Sequence, residues 1–520
     1  MFKIIRVLTA CLFFSALCLY FLDFSRFLPD SLSTLARLQL IPAMLAANVT
    51  ALAVLAVLAL LGGRIYCSVI CPLGVLQDML GRLSRLRGRK KHKLRYTEEK
   101  KVLRWTVAGL VFLSALTGYS LLLSLLDPYS LFGRITANLF RPLYLALNNG
   151  LAFLFSQFDN YALYKMKLSL ESASSLVVAL VSLGLVGFLS WKYGRLYCNA
   201  VCPVGSLLGL LSRFAVFKIR MDTAACTGCG RCEAVCKASC LDSRNRTVDS
   251  GRCVVCLNCL EACASRALSF NLSRPGRKKR EKIWNREAGG SRRVFTLGLL
   301  GLGLAAISIK LPPTALAATG NADVAAAGST DVPIARSIPV SPPGAGGTDR
   351  FNSRCTACQL CVSKCPSQVL RPAFLDYGLQ GFMQPVLDFR KGFCNYNCAL
   401  CTVICPNKAL RPLSVQDKQR TQIGKVVFNK KLCVVHTLNK HCGACAEHCP
   451  TQAVSMGPYK NALTIPVINQ DICIGCGACE FICPTLPYRA IYVQGNKLHQ
   501  RRLEIESPRE EDRTIDSFGF

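Results

Sequence analysis

The sequence predicts an α-helical membrane domain of four spans plus a signal-like fifth helix, joined to two small α+β domains built on cysteine-rich loops. Three observations carry this expectation. Four cysteines recur six times in nearly the same rhythm. Long apolar runs fill residues 1–210, whereas residues 311–520 are ordinary in polarity. A twelve-residue motif centred on Cys-x-x-x-Cys-Pro occurs twice, at residues 63–74 and 194–205.

The six sets are Cys226, Cys229, Cys232 and Cys236; Cys253, Cys256, Cys259 and Cys263; Cys355, Cys358, Cys361 and Cys365; Cys394, Cys398, Cys401 and Cys405; Cys433, Cys442, Cys445 and Cys449; and Cys473, Cys476, Cys479 and Cys483. Three thiolates on a tight loop suit three irons of a cubane, and a fourth at the start of a helix suits the neighbouring cluster. Zinc also uses paired CxxC but has no need of a third cysteine two residues on. Cysteines so close in sequence are poor disulfide partners. The reading is therefore about six [4Fe–4S] clusters in two α+β ferredoxin-like iron–sulfur domains. These sets use 24 of the 31 cysteines. Cys11 and Cys18 lie in an apolar run and read as small hydrophobes. Cys240, Cys67, Cys71, Cys198 and Cys202 remain.

A 51% hydrophobic content and a mean hydropathy of +0.32 are high for a soluble protein. The net charge of +33 invites a nucleic-acid reading. Much of that charge flanks apolar runs, where it fixes membrane orientation. Six clusters at −2 each would also offset roughly twelve charges. No nucleic-acid partner is expected.

Crossing a hydrocarbon layer takes about 20 apolar residues. Candidates are residues 4–22, 40–61, 102–126 and 176–191, the last being short unless it begins earlier. Residues 139–158 are interrupted by Arg141, Pro142, Asn148 and Asn149. The loop carrying Arg82, Arg85, Arg87, Arg89, Lys90, Lys91, Lys93 and Arg95 should be cytoplasmic, as should the N-terminus with Lys3 and Arg6. Four spans then bring both copies of the motif to the cytoplasmic face. A crossing at 139–158 would separate them, so that segment is expected to be a surface or re-entrant helix.

The order along the chain follows: 1–217, membrane domain; 218–272, a two-cluster domain; 273–349, a basic linker, signal-like helix and flexible tether; 350–505, a four-cluster domain; and 506–520, a tail. Ser291-Arg-Arg-Val-Phe-Thr296, ahead of an apolar run at 294–309, reads as a twin-arginine export signal. An ordinary fifth span is the alternative, and either sends the rest across the membrane. The expected location is a bacterial inner membrane, multi-pass, with 218–290 cytoplasmic and 311–520 periplasmic.

Cross-ligation assigns Cys263 to the cluster of Cys226, Cys229 and Cys232, and Cys236 to that of Cys253, Cys256 and Cys259. Cys240 reads equally as a substitute ligand or a buried thiol. In the C-terminal domain two sets depart from rhythm: three residues separate Cys394 from Cys398, and eight separate Cys433 from Cys442. That second insert holds His436 and His441, read as solvated loop residues or as ligands. Pairing of the four sets is open, either consecutive or first with fourth and second with third. Cys67 and Cys71, like Cys198 and Cys202, fall one helical turn apart on one face. If the copies meet about a pseudo-two-fold axis, four thiolates converge as a metal or redox site. Alternatively the motif only builds a tight turn.

Residues 1–290, with their paired Tyr-Cys-x-x-x-Cys-Pro motifs and two-cluster module, resemble the NapH family of membrane quinol-dehydrogenase subunits. Residues 291–520, with the twin-arginine motif and four cysteine sets, resemble NapG, the periplasmic ferredoxin of the same system. The chain looks like the two fused. The resemblance implies that quinol is the substrate and that electrons from the membrane quinol pool pass to a periplasmic molybdoenzyme or other reductase, such as nitrate reductase. No constellation for the terminal reduction is present. Asp23, Asp127, Asp159 and Glu171 could accept protons but read as loop carboxylates. The rival readings are a membrane ferredoxin in metal-cofactor maturation and a redox regulator.

Overall fold

The apolar N-terminal sequence folds into two helices of 21 residues, Phe2–Leu22 and Ala173–Tyr193, each about 31 Å long. In the computed structural model, which describes residues 2–23, 27–87, 94–166, 172–272 and 336–502, these two alone are long and apolar enough to cross a membrane. The second begins at Ala173, which removes the shortness expected of the fourth span. The other two expected spans are broken, and this corrects the expectation of four uniform spans. Residues 40–61 form Leu40–Leu45 and Val49–Gly62, split where Ala47 turns left-handed (φ 51°) and Asn48 caps the second helix through the Ala51 amide. Residues 102–126 form Lys101–Leu116 and Leu121–Leu126, split at Gly118 (φ 78°).

Residues 139–158 continue a longer helical run. Pro128–Ile135 leads through a π-helical turn, Thr136–Phe140, into Arg141–Ser156. Pro142, which lacks an N–H, follows that π-helical turn inside the run. Asn148 and Asn149 bind the carbonyls of Tyr164 and Met166, so these polar interruptions tie down the following loop.

Residues 217–272 pair strand Phe217–Met221 with Leu268–Leu272 and enclose the hairpin Leu241–Asp242/Thr247–Val248. The C-terminal domain has three antiparallel pairs: Leu370–Pro372 with Pro385–Leu387, Thr421–Phe428 with Ile491–Arg501, and Val454–Pro458 with Thr464–Ile468. Apart from Leu272, the described residues belong to one compact unit.

Both long helices touch a cysteine-rich module at each end. Lys3 pairs with Glu261, and Asp23, just past the other end, pairs with Lys364 at 2.8 Å in a buried contact. Ser175 accepts from Gln359, whereas Arg195, beyond the far end of that helix, donates its amide to the Lys237 carbonyl. The helix Lys101–Leu116 runs the same way. Thr97 before it binds Ser239 and Arg252, and Ser120 after it binds the Asn352 carbonyl at 2.6 Å. The twin-arginine motif, the apolar run at 294–309, Glu171 and the tail lie outside the described residues, as does most of the tether.

Candidate metal centres

In four cysteine sets, the loop is wound left-handed on both sides of the second cysteine: Gly228 and Gly230, Val255 and Leu257, Ala357 and Gln359, Gly475 and Gly477 all have φ between 50° and 80°. Such turns direct successive amides to one side and favour an anion there. A short helix follows each: Arg231–Ala234, Asn258–Ala262, Leu360–Ser363 and Ala478–Ile482. The two irregular sets lack these paired left-handed residues, which fits their longer loops.

The fourth cysteine of each set faces the neighbouring set. Cys263 lines one cavity with Cys226, Cys229 and Cys232. Cys236 lines another with Cys253, Cys256 and Cys259. Cys365 lines a third with Cys394, Cys398 and Cys401. Cys405 is the electrostatic neighbour of Cys355, Cys358 and Cys361. Cys483 lies beside Cys433 and Cys445, and Cys449 beside Cys473, Cys476 and Cys479. Of the two pairings open in the sequence, the geometry is the consecutive one. Four soft thiols around a cavity suit a cubane. Among the described residues no group of three or more His, Cys, Asp or Glu converges on a single ion.

Cys240 is a fifth thiol in the cavity with Cys236, 3.6 Å from its sulfur. His436 is exposed and bonds the Tyr459 hydroxyl at 2.8 Å, and His441 is exposed. Asp159 is exposed, Asp23 holds Lys364, and Asp127 caps the Pro128–Ile135 helix by accepting from Tyr129 and Ser130.

The two Cys-x-x-x-Cys-Pro copies meet face to face. Each begins with a glycine in a conformation closed to other residues, Gly63 (φ 70°, ψ −140°) and Gly194 (φ 66°, ψ −125°). Each arginine then reaches the other copy. Arg64 donates to the Cys198 carbonyl at 3.0 Å, and Arg195 to the Cys67 carbonyl at 2.5 Å and the Gly74 carbonyl at 3.0 Å. Tyr66 donates to Gln39 and Tyr197 to the Leu126 carbonyl. Cys71 and Cys202 stand at the starts of the helices Pro72–Arg87 and Pro203–Leu211, whose first-turn amides favour negative charge. Cys67, Cys71, Cys198 and Cys202 are all buried and are electrostatic neighbours. Burial pushes the Asp78 carboxyl up, but Arg195 and Lys237 outweigh it and hold it down at about 2. Lys237 follows Cys236, so this ion-pair network joins the quartet to the 218–272 module.

On the other side of the quartet lie Tyr66, Tyr197, Asp127 and Arg134, and then Cys358, an electrostatic neighbour of both Asp127 and Arg134. The arginines of the repeat had a sequence signal, the duplicated Gly-Arg. Arg134 and Asp78 had none.

Fold and cysteine cages together define a ferredoxin-type iron–sulfur electron-transport protein. A family model described as a 4Fe-4S binding domain matches residues 44–91 and 175–222, one motif copy in each, and a 4Fe-4S dicluster domain model matches residues 440–486. An uncharacterized protein of Methanocaldococcus jannaschii is 28% identical over 43% of this chain and 70% of its own length. The putative electron transport protein YccM of Escherichia coli is 25% identical over 46% of this chain and 60% of its own. The ferredoxin-type protein NapG of Escherichia coli is 30% identical over 29% of this chain and 68% of its own. The chain belongs to the family of this ferredoxin-type protein. No solved structure matches it.

Proposed function

We propose that the chain is a membrane-bound electron conduit that takes electrons from quinol and delivers them to a periplasmic reductase. A nitrate-reductase-like molybdoenzyme is the partner favoured by the likeness to NapG and, for the membrane half, to NapH. One observation carries the reading. Each 21-residue apolar helix contacts the 218–272 module at one end and the C-terminal domain at the other. The two modules therefore stand about one hydrocarbon thickness apart.

The outer faces of these helices support a lipid setting. Leu8, Leu12, Leu19, Val177, Val181 and Phe188 are exposed, and such a belt would be a liability in water. The helix Lys101–Leu116 runs between the same modules, so we count it with the membrane domain. By the charge rule the 218–272 module faces the cytoplasm and the C-terminal domain the periplasm.

The six cross-ligated sets would hold six [4Fe–4S] clusters, and the quartet Cys67, Cys71, Cys198 and Cys202 a further iron–sulfur or redox centre between them. Each cluster, when bound, accepts and passes on one electron. Arg64, Arg195 and two helix N-termini stabilise anionic sulfur in the quartet. The buried Asp23–Lys364 pair and the Asn138–Gln359 bond fix the C-terminal domain against the membrane domain, which holds the transfer distance constant. Anaerobic reconstitution in liposomes with menaquinol and candidate periplasmic reductases tests the reading. Turnover by one of them is the expected result, and failure of quinol to reduce any cluster refutes it.

A further inference from the structure

Arg134 is 0% exposed, and all three of its guanidinium nitrogens lack a hydrogen-bond partner among the described residues. Leaving a buried guanidinium unpaired costs several kcal/mol, on the order of that for any unpaired buried ion. Arginine persists at such a place when an anion meets it. Its neighbours narrow the choice. Gly133 packs so closely on the loop of the third cysteine set that a Cβ there would lie 2.2 Å from the Cys358 carbonyl oxygen. Five residues on, inside the π-helical turn, Asn138 binds Gln359 at 2.6 Å, the residue next to Cys358. π-Turns of this kind recur at functional sites. The segment 128–140 is thus a cradle for the Cys355–Cys361 loop, with Arg134 inside it.

Asp127 is the nearest carboxylate, yet its oxygens accept from the Tyr129 and Ser130 amides and the Ser130 hydroxyl. The Asp127 carboxylate lies near enough to act on Arg134 through space, but no described side chain hydrogen-bonds the guanidinium.

We propose that Arg134 is the counter-charge of the cluster held by Cys355, Cys358, Cys361 and Cys405, and that it raises that cluster's potential so that electrons leaving the cysteine quartet enter the C-terminal domain there. Arg134 is a positioning and tuning residue. It touches neither quinol nor the terminal acceptor. The inference rests on the reading that these four cysteines hold a cluster.

The sign follows from Coulomb's law. A cubane gains negative charge on reduction, so a nearby guanidinium favours the reduced state, most of all away from water. Removing it lowers the potential. The test is a redox titration followed by electron paramagnetic resonance on the full-length, anaerobically purified protein. The signal of this cluster is assigned by its loss in Cys405→Ala. Arg134→Gln should retain full iron and lower that potential by at least tenfold in the reduction equilibrium, about 59 mV. Arg134→Lys should restore part of the shift. Asp127→Asn, which keeps the helix cap and removes the nearest negative charge, should move the potential upward, and it serves as the second probe if Arg134→Gln does not assemble.

An unmoved potential in Arg134→Gln overturns the inference. So does an unmoved potential accompanied by a raised KM for quinol, which would make Arg134 part of a quinol site. Absence of any signal dependent on Cys405 in the wild-type protein would instead defeat the underlying cluster assignment.

Discussion

Arg64 and Arg195 each donate to a cysteine carbonyl of the opposite motif copy, Arg64 to Cys198 and Arg195 to Cys67. This exchange is the pseudo-two-fold axis written in hydrogen bonds. It explains why the repeat carries Gly-Arg, since the arginine must leave a tight turn to cross the axis. Both guanidinium groups are buried, so neither exchange can be replaced by water.

Arg195→Met should be the more damaging change of the two arginines. It leaves Asp78 buried with only Lys237 as a close partner and Arg6 at 4.0 Å. Breaking a buried pair from one side costs about 3–5 kcal/mol. Thermal denaturation in detergent should show the loss, with Asp78→Asn restoring part of it in the double variant.

Gly74 and Gly205 close the two motif copies. An added Cβ would sit 2.3 Å from the Cys67 carbonyl oxygen at Gly74, and 2.0 Å from that of Cys198 at Gly205. Either Gly→Ala change should destabilise by about 1–3 kcal/mol, the usual cost of overpacking. Gly109→Ala, with nothing within 4 Å, is the control and should be neutral or slightly stabilising.

The Asp23–Lys364 pair is the buried ion pair among the contacts that dock the C-terminal domain, beside Asn138–Gln359 and Ser120–Asn352. Burial pushes the Asp23 carboxyl up, but Lys364 and the amides of Phe27 and Leu28 outweigh it and leave it below the usual range. Asp23→Asn strands a buried ammonium. Hydrogen exchange should then quicken around Leu360–Ser363 while the Thr421–Phe428 strand stays protected.

Acid should weaken the C-terminal domain through His499. Burial pushes this imidazole down to about 4, and it bonds the Ser341 hydroxyl. In the unfolded chain it takes a proton near 6.5, so between roughly pH 6.5 and 4 the unfolded state binds more protons. Stability therefore falls as pH drops through that window, by on the order of 3 kcal/mol in all. Exchange rates across Ile491–Arg501 from pH 7 to 5 should show it, and His499→Gln should flatten the dependence.

Consecutive pairing makes a claim about which cysteines share a cage. Cys405→Ala should remove the cluster of Cys355, Cys358 and Cys361, whereas Cys365→Ala should remove that of Cys394, Cys398 and Cys401. Each loses about four irons, with distinct spectra. If Cys405→Ala instead removed the Cys394 signal, the cages would be drawn wrongly.

What the sequence carried well was chemistry fixed by short spacing. The Cys-x-x-Cys-x-x-Cys rhythm and the doubled Cys-Pro motif are local, and the geometry that brings Cys263 to Cys226 follows from them. Partner choice among the four C-terminal sets was not legible, because it depends on how Leu360–Ser363 packs on Leu400–Ile404 and not on any loop. Span continuity failed for a related reason. Residues 40–61 are apolar throughout, and the break at Ala47 is imposed by the turn that Asn48 caps. Arg134 carries no signal in the sequence, since only tertiary packing puts Cys358 against the neighbouring Gly133.

The most direct measurement confines an impermeant reductant to one face of sealed vesicles bearing oriented protein. With reductant on the side of the 218–272 module, the C-terminal clusters should become reduced, and Cys198→Ser should abolish this while leaving the 218–272 clusters reducible. Reduction of the C-terminal clusters at an unchanged rate in Cys198→Ser, or none in the wild-type protein, would contradict conduction through the cysteine quartet.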